Sequence, residues 1–168
     1  GHDHGGENPH AWLDMDIVNA FADNLAKQIN EIDSKFPDNA DSVKEKTDDF
    51  TKRLAALPAK KVVLTESIAE GAIDDSSLKD VTPKSFAEAV NREAEPSAAD
   101  VAATRALIKD KKVDILITNE QAQTPAAEQL VKAAKDAKIK IVNLNETPDQ
   151  GDTYFDYVDN FITELEDA

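Results

Sequence analysis

Cysteine is absent from the sequence. The chain therefore forms no disulfide, offers no thiolate to a metal and carries no cysteine nucleophile. The cysteine content does not indicate whether the protein works in an oxidising or a reducing compartment, because a chain without cysteine is compatible with both.

Long apolar runs are also missing. No stretch is long enough to span a membrane, and no segment resembles a signal peptide. The 168 residues fit one domain, with 40% hydrophobic and 32% charged residues spread along the chain, which is a globular composition. Residue 1 falls in a predicted loop, so we expect the chain to be a fragment of a truncated, longer protein.

Positive charge is scarce. Nineteen Lys and Arg stand against 34 Asp and Glu, for a formal net charge of −15. Such a charge repels nucleic acid and anionic lipid headgroups, and it raises the local concentration of cations. We therefore expect no nucleic-acid partner, although solubility alone would also account for the acidity.

The most informative stretch is residues 8–14, with the sequence Asn-Pro-His-Ala-Trp-Leu-Asp. It follows a glycine-rich segment that contains His2 and His4, and it opens a long amphipathic helix. A neutral imidazole is a good ligand for zinc and manganese, and the turn would hold His10 in place. His10 is therefore a candidate metal ligand; the alternative is a helix-entry residue without chemistry.

Helical and strand patterns alternate along the rest of the chain. Apolar periodicity and capping residues predict a helix of about 20 residues from Asp14 or Asp16, and a second helix that ends at Pro58. Further helices are predicted at 68–78, with an interruption at Gly71, from Thr82-Pro83, from Ser97 to about 111, from Thr124-Pro125 and at 154–165. Strands are predicted at 62–65, 80–81, 113–118 and 139–144. This alternation predicts an α/β fold with a parallel four-stranded sheet flanked by helices.

Three carboxylates lie just past predicted strand ends: Glu66, Glu120 and Glu146. Ligands of open parallel sheets bind outside the carboxyl ends of the strands, so we expect these side chains to share one rim. They repel one another unless they are solvated, protonated or bound to a cation. With His10 above the rim, one nitrogen and two or more carboxylates would suit zinc or manganese; the alternative is that the glutamates are merely exposed.

Enzymatic motifs are missing. No glycine-rich phosphate loop follows a strand, no His-Glu-x-x-His is present, and no serine sits in a nucleophile elbow. Paired carboxylates can catalyse reactions, but nothing in the sequence selects a substrate. We therefore expect that the protein is not an enzyme.

Four segments together resemble a known family. Residues 8–14 are similar to its Asp-Pro-His-x-Trp-Leu segment, and 62–67 resemble the strand whose exit carries a ligand, His in many members and Glu in others. Residues 95–100 resemble its Glu-Pro-Ser segment, and 151–154 its Gly-Asp-Ser/Thr-Tyr segment. The family is that of the metal-specific solute-binding proteins of bacterial ABC transporters, the zinc and manganese uptake receptors.

The resemblance implies a set of roles. His10 would be a ligand from the end of the N-terminal lobe, Glu66 a ligand from the C-terminal lobe, and Glu146 would stand where the family usually has Asp. Residues 1–13 would be the remnant of a His-rich loop and the Pro-His-x-Trp segment, 14–58 the long N-terminal connector helix with the following helix, and 59–168 the C-terminal α/β lobe. The N-terminal lobe, which contributes another His ligand, has no counterpart in the chain.

The resemblance further implies an extracytoplasmic function. The full-length protein would be a substrate-binding component of an importer, anchored by a lipid, that hands a divalent transition metal to a membrane permease. In this chain alone we expect weakened or absent metal binding. The alternative, from another class, is an α/β interaction or regulatory module without a metal site, whose rim carboxylates are solvated.

Overall fold

The computed structural model of the protein describes residues 10–35 and 39–168. Within these residues helices and strands alternate, after a short 3-10 turn at Ala11–Leu13 and with a second one at Ser67–Ala69. The elements are α1 Met15–Ile32, α2 Ala40–Ala56, β1 Lys61–Leu64, α3 Glu70–Asp74, β2 Lys79–Asp80, α4 Lys84–Asn91, α5 Ala98–Lys109, β3 Ile115–Thr118, α6 Pro125–Ala137, β4 Lys140–Asn143 and α7 Tyr154–Glu166.

The four strands form one parallel sheet in the order β2-β1-β3-β4. In its centre Val63 of β1 lies opposite Leu116 of β3, which lies opposite Ile141 of β4. The predicted α/β fold with a parallel four-stranded sheet is therefore confirmed. Because the strands run in the same direction, the loops that follow them gather at a single edge of the sheet.

Alternating side chains of the strands pack into two separate hydrophobic cores, one on each face of the sheet. Val62, Leu64, Ile115 and Ile117 lie in one core with side chains of α2, α3 and α7. Val63 and Leu116 lie in the other, with side chains of α4, α5 and α6. Burying one such aliphatic side chain contributes roughly 1.5–3 kcal/mol, so both faces of the sheet stabilise the position of its strand ends.

Helix α1 lies outside both cores over most of its length. Asp14 caps it by accepting a hydrogen bond from the Ile17 amide at 3.1 Å, and Asn19 accepts one from Thr47 Oγ1 on α2 at 2.7 Å. The predicted long helix is confirmed, but part of its apolar surface is exposed. The exposed side chains form a stripe on one side of α1: Ile17 at 49%, Phe21 at 67%, Leu25 at 45% and Ile32 at 87%.

Two local predictions were wrong. Thr82 does not cap α4, since its Oγ1 accepts a hydrogen bond from the Leu64 amide at 2.9 Å and thereby ties the segment to the end of β1. Gly71 does not interrupt a helix but lies within α3. A side chain there would meet the backbone of Leu13 and Asp14 at 3.1–3.2 Å, so the absence of a Cβ permits the close approach of the first turn to α3.

Three predicted caps are confirmed. Ser97 and Thr124 accept hydrogen bonds from the Asp100 and Ala127 amides, as Asp14 does at the start of α1.

Among the described residues, no helix has the length and apolar character needed to cross a membrane.

Candidate metal centre

A cavity of about 330 Å³ opens at the carboxyl edge of the sheet. It contains the three predicted ligands, His10, Glu66 and Glu146, which come from three distant parts of the chain. Among the residues that the structure describes, the other lining residues are polar, acidic or small and apolar, and none is Lys or Arg: Thr65, Ser67, Val90, Glu93, Ala94, Glu95, Pro96, Ala122 and Thr124. The lining therefore favours a cation over an anion.

His10 is held by the turn that it precedes. The Trp12 carbonyl accepts a hydrogen bond from the Tyr154 hydroxyl at 2.6 Å, which fixes the turn to α7. The imidazole packs edge-on against the Trp12 ring with 5.0 Å between centroids. Its Nδ1 lies 3.2 Å from Ser67 Oγ, and when Nδ1 donates its proton there, Nε2 is the basic nitrogen that a metal would bind.

Glu66 follows β1 and Thr65, where the backbone leaves the sheet. Its Oε2 accepts a hydrogen bond from Asn119 Nδ2 at 3.1 Å. Partial burial raises the pKa of the Glu66 carboxyl above its ordinary value; the Asn119 hydrogen bond opposes that rise, and the nearby charge of Glu146 adds to it. The carboxylate is thus held in a setting where a positive ion would relieve an electrostatic cost.

Glu146 is exposed and follows the end of β4 by three residues. It lies close enough to Glu66 and Tyr157 for its charge to raise the pKa of both. Glu120 does not line the cavity; its backbone amide donates to Asn143 Oδ1 at 2.8 Å. Two of the three strand-end carboxylates, Glu66 and Glu146, therefore line the cavity, and the Glu120 side chain does not.

The predicted ligands share a cavity without converging on one point. Within residues 10–35 and 39–168, no group of three or more His, Cys, Asp or Glu side chains is close enough together to hold a metal ion. The assignment of His10, Glu66 and Glu146 as ligands therefore stays a prediction. His2 and His4 lie outside the described residues.

Two buried residues that contact predicted ligands were missed by the sequence analysis. Ser67 contacts His10, and Asn119 contacts Glu66; their burial is nearly complete, at 4% and 1% exposure. Each directly follows a feature that was recognised, the strand-exit Glu66 and strand β3. A polar residue at a buried strand exit is the signal that would have marked them.

Comparison with known proteins identifies the family. Residues 1–168 match the family model described as the periplasmic component A of the zinc-uptake complex, ZnuA. No curated protein sequence matches the chain.

Several solved structures share the fold. The laminin-binding protein Lmb of Streptococcus agalactiae, described as bifunctional with adhesin and metal transporting activity, is 21% identical with a TM-score of 0.68 and matches 95% of this chain. A zinc-bound variant of AdcAII of Streptococcus pneumoniae is 20% identical with a TM-score of 0.69 over 95% of this chain. A manganese-bound periplasmic metal-binding protein of Candidatus Liberibacter asiaticus is 16% identical with a TM-score of 0.65, again over 95%.

These structures are longer than the chain, which spans 62%, 60% and 63% of their respective lengths. The family match, by contrast, covers every residue of the sequence. The resemblance predicted from the four sequence segments is therefore confirmed, and the chain belongs to the ZnuA family of periplasmic zinc-uptake components.

Proposed function

We propose that the chain is the C-terminal portion of the substrate-binding component of an ABC importer for a divalent transition metal, zinc or manganese. The observation that carries this proposal is the cavity at the sheet edge, which His10, Glu66 and Glu146 all line and which no Lys or Arg of the described residues lines. Family membership and the zinc-bound and manganese-bound structures of similar fold support the same substrate class. The metal is cargo, and no catalytic role is assigned to the chain.

His10 would supply a neutral nitrogen, and Glu66 and Glu146 would supply charge and oxygen. Such a mixed set suits zinc and manganese. Because the three side chains do not converge in the described structure, the chain alone should bind metal weakly. We expect a dissociation constant in the micromolar range or above, which is about −8 kcal/mol or less favourable.

A further, N-terminal lobe would complete the site. Residues 1–13 would be the remnant of a His-rich loop and the Pro-His-x-Trp segment, 14–58 would form the connector helix with the following helix, and 59–168 would form the C-terminal α/β lobe. The exposed apolar stripe on α1 supports this division, since a second lobe would bury Ile17, Phe21 and Leu25. The two-lobed protein would then pass the metal to a membrane permease; a lipid anchor stays a prediction.

Thermal unfolding with and without metal tests this proposal. A ligand that binds only the folded chain raises its stability, by about 2.7 kcal/mol at a hundredfold excess over the dissociation constant. For a domain of this size that corresponds to a rise of roughly 5–10 °C in melting temperature. We expect zinc or manganese to raise the melting temperature of the wild-type chain and to raise that of Glu66→Gln much less.

The controls separate a metal site from general neutralisation of acidic charge. Glu31→Gln removes the same charge from the exposed end of α1, away from the cavity, and should respond to zinc like the wild type. Magnesium at the same concentration should have little effect. If neither transition metal stabilises the wild type, the chain is better described as an interaction module with solvated carboxylates; an equal response of Glu66→Gln would remove Glu66 from the site.

A further inference from the structure

We propose that Asn119 is a positioning residue for the metal site, which orients Glu66 from behind the cavity wall. This inference rests on the proposed function. It is carried by the hydrogen bond between Asn119 Nδ2 and Glu66 Oε2, by the near-complete burial of Asn119, and by the way its carboxamide is oriented.

The backbone fixes Asn119 at the exit of β3. The strand is buried along its whole length and ends at Thr118. The Thr118 hydroxyl lies 3.1 Å from that of Thr65, at the end of the neighbouring strand. Asn119 and Glu66 therefore directly follow two threonines whose hydroxyl groups are in contact, at neighbouring strand exits.

The carboxamide of Asn119 has only one orientation that satisfies both of its neighbours. The Gln121 backbone amide, which can only donate, lies 3.0 Å from Oδ1. Oδ1 must therefore face Gln121, and the donor Nδ2 must face Glu66. Since Asn119 is only 1% exposed, bulk water cannot easily replace either contact.

The consequence is a fixed Glu66 carboxylate. One of its oxygens is held by a donor that is itself anchored to the backbone, so the plane and direction of the carboxylate are constrained. Residues that orient metal ligands in this way typically change metal affinity 10–100-fold when they are removed.

Zinc titration calorimetry on a double-mutant cycle tests the inference. The full chain would be compared as wild type, Asn119→Ala, Glu66→Gln and the double variant. We expect Asn119→Ala to weaken zinc binding about tenfold. In the Glu66→Gln background the same substitution should have little further effect, because a residue that acts through Glu66 has nothing left to orient.

A loss of folding would be recognised by a second variant and a control. Asn119→Leu keeps the size of the side chain without a donor for Glu66, and it should weaken zinc binding about as much as Asn119→Ala does. Thr104→Ala removes a fully buried hydroxyl in α5, outside the cavity, and should lower stability without changing zinc affinity.

The outcomes distinguish the two proposals. If the wild type binds no zinc, the proposed function fails, and this inference falls with it. If the wild type binds zinc and the folded Asn119 variants bind it equally well, or if Asn119→Ala is equally damaging with and without Glu66, only the positioning role is overturned.

Discussion

The turn that carries His10 is held by residues far from it in the sequence. Tyr154 donates to the Trp12 carbonyl, Ser67 contacts the imidazole, and Gly71 lets the backbone of the turn approach α3. These contacts come from α7, from the segment after β1 and from α3. The position of His10 therefore depends on the C-terminal body of the chain as well as on its own turn.

Tyr154→Phe should loosen this arrangement. The substitution removes the 2.6 Å hydrogen bond to the Trp12 carbonyl but keeps the aromatic ring, so we expect a loss of about 1 kcal/mol of unfolding free energy. Urea unfolding at pH 7 measures it. Tyr157→Phe, which removes the corresponding bond to the Asn145 carbonyl, is the matched comparison. The Tyr154 variant should also weaken zinc binding through His10, and unchanged stability would show that the bond does not hold the turn.

Glu66 makes the stability of the metal-free chain depend on pH. Burial raises the pKa of Glu66 above the ordinary 4.5, so between that value and the folded pKa the native state binds more protons than the unfolded state. The contribution of Glu66 to stability is therefore most favourable below pH 4.5 and is lost as the pH rises through the folded pKa.

Glu66→Gln should remove this loss. The unfolding free energy of the variant, relative to that of the wild type, should increase as the pH is raised from 4 to 7. Urea unfolding in the presence of a chelator measures this difference. Glu31→Gln reports the effect of net charge alone. A variant that is less stable than the wild type at pH 7 would show that the folded state favours the Glu66 carboxylate.

At the scale of the elements, the strands and most helix starts could be predicted because their signals are local. Asp14, Ser97 and Thr124 cap helices through bonds to amides three residues away. Thr82 shows the same Thr-Pro pattern, but its hydroxyl bonds instead to Leu64, eighteen residues away. A tertiary partner overrides the cap, and no local pattern reveals it.

The residues of the candidate metal site show the same difference between local signals and tertiary contacts. Glu66 and Glu146 could be predicted from their places after strands, because a parallel sheet brings its strand exits to one edge. The bond between Asn119 and Glu66 could not be predicted, since it joins residues 53 positions apart. Glu120 has the same sequence signature as the other two carboxylates, but its backbone is held by Asn143 and its side chain does not line the cavity.

Helix α1 illustrates why a periodic apolar pattern does not define a core. Phe21→Ser should change the unfolding free energy by no more than about 0.5 kcal/mol, because Phe21 is 67% exposed. Leu130→Ala, in the centre of α6 and fully buried, should cost about 2–5 kcal/mol. Urea unfolding of the two variants side by side checks this contrast. A large loss in Phe21→Ser would mean that α1 is buried in solution.

At the scale of the whole molecule, two properties affect metal binding: the acidic surface of the chain and a metal site whose predicted ligands do not converge. A net charge of −15 attracts cations to the entire surface, so weak binding of divalent ions is expected even without a specific site. What distinguishes the proposed centre is the pairing of a histidine nitrogen with glutamate oxygens in one cavity. The relevant measurement must therefore locate the metal rather than merely detect it.

Anomalous diffraction at the zinc edge, from crystals of the chain grown with millimolar zinc, makes that measurement. We predict a zinc peak in the cavity, about 2.0–2.2 Å from an imidazole nitrogen of His10 and from an oxygen of Glu66, with Glu146 drawn toward it. Zinc found only at other acidic surfaces, with His10 and Glu66 uncoordinated, would contradict the account.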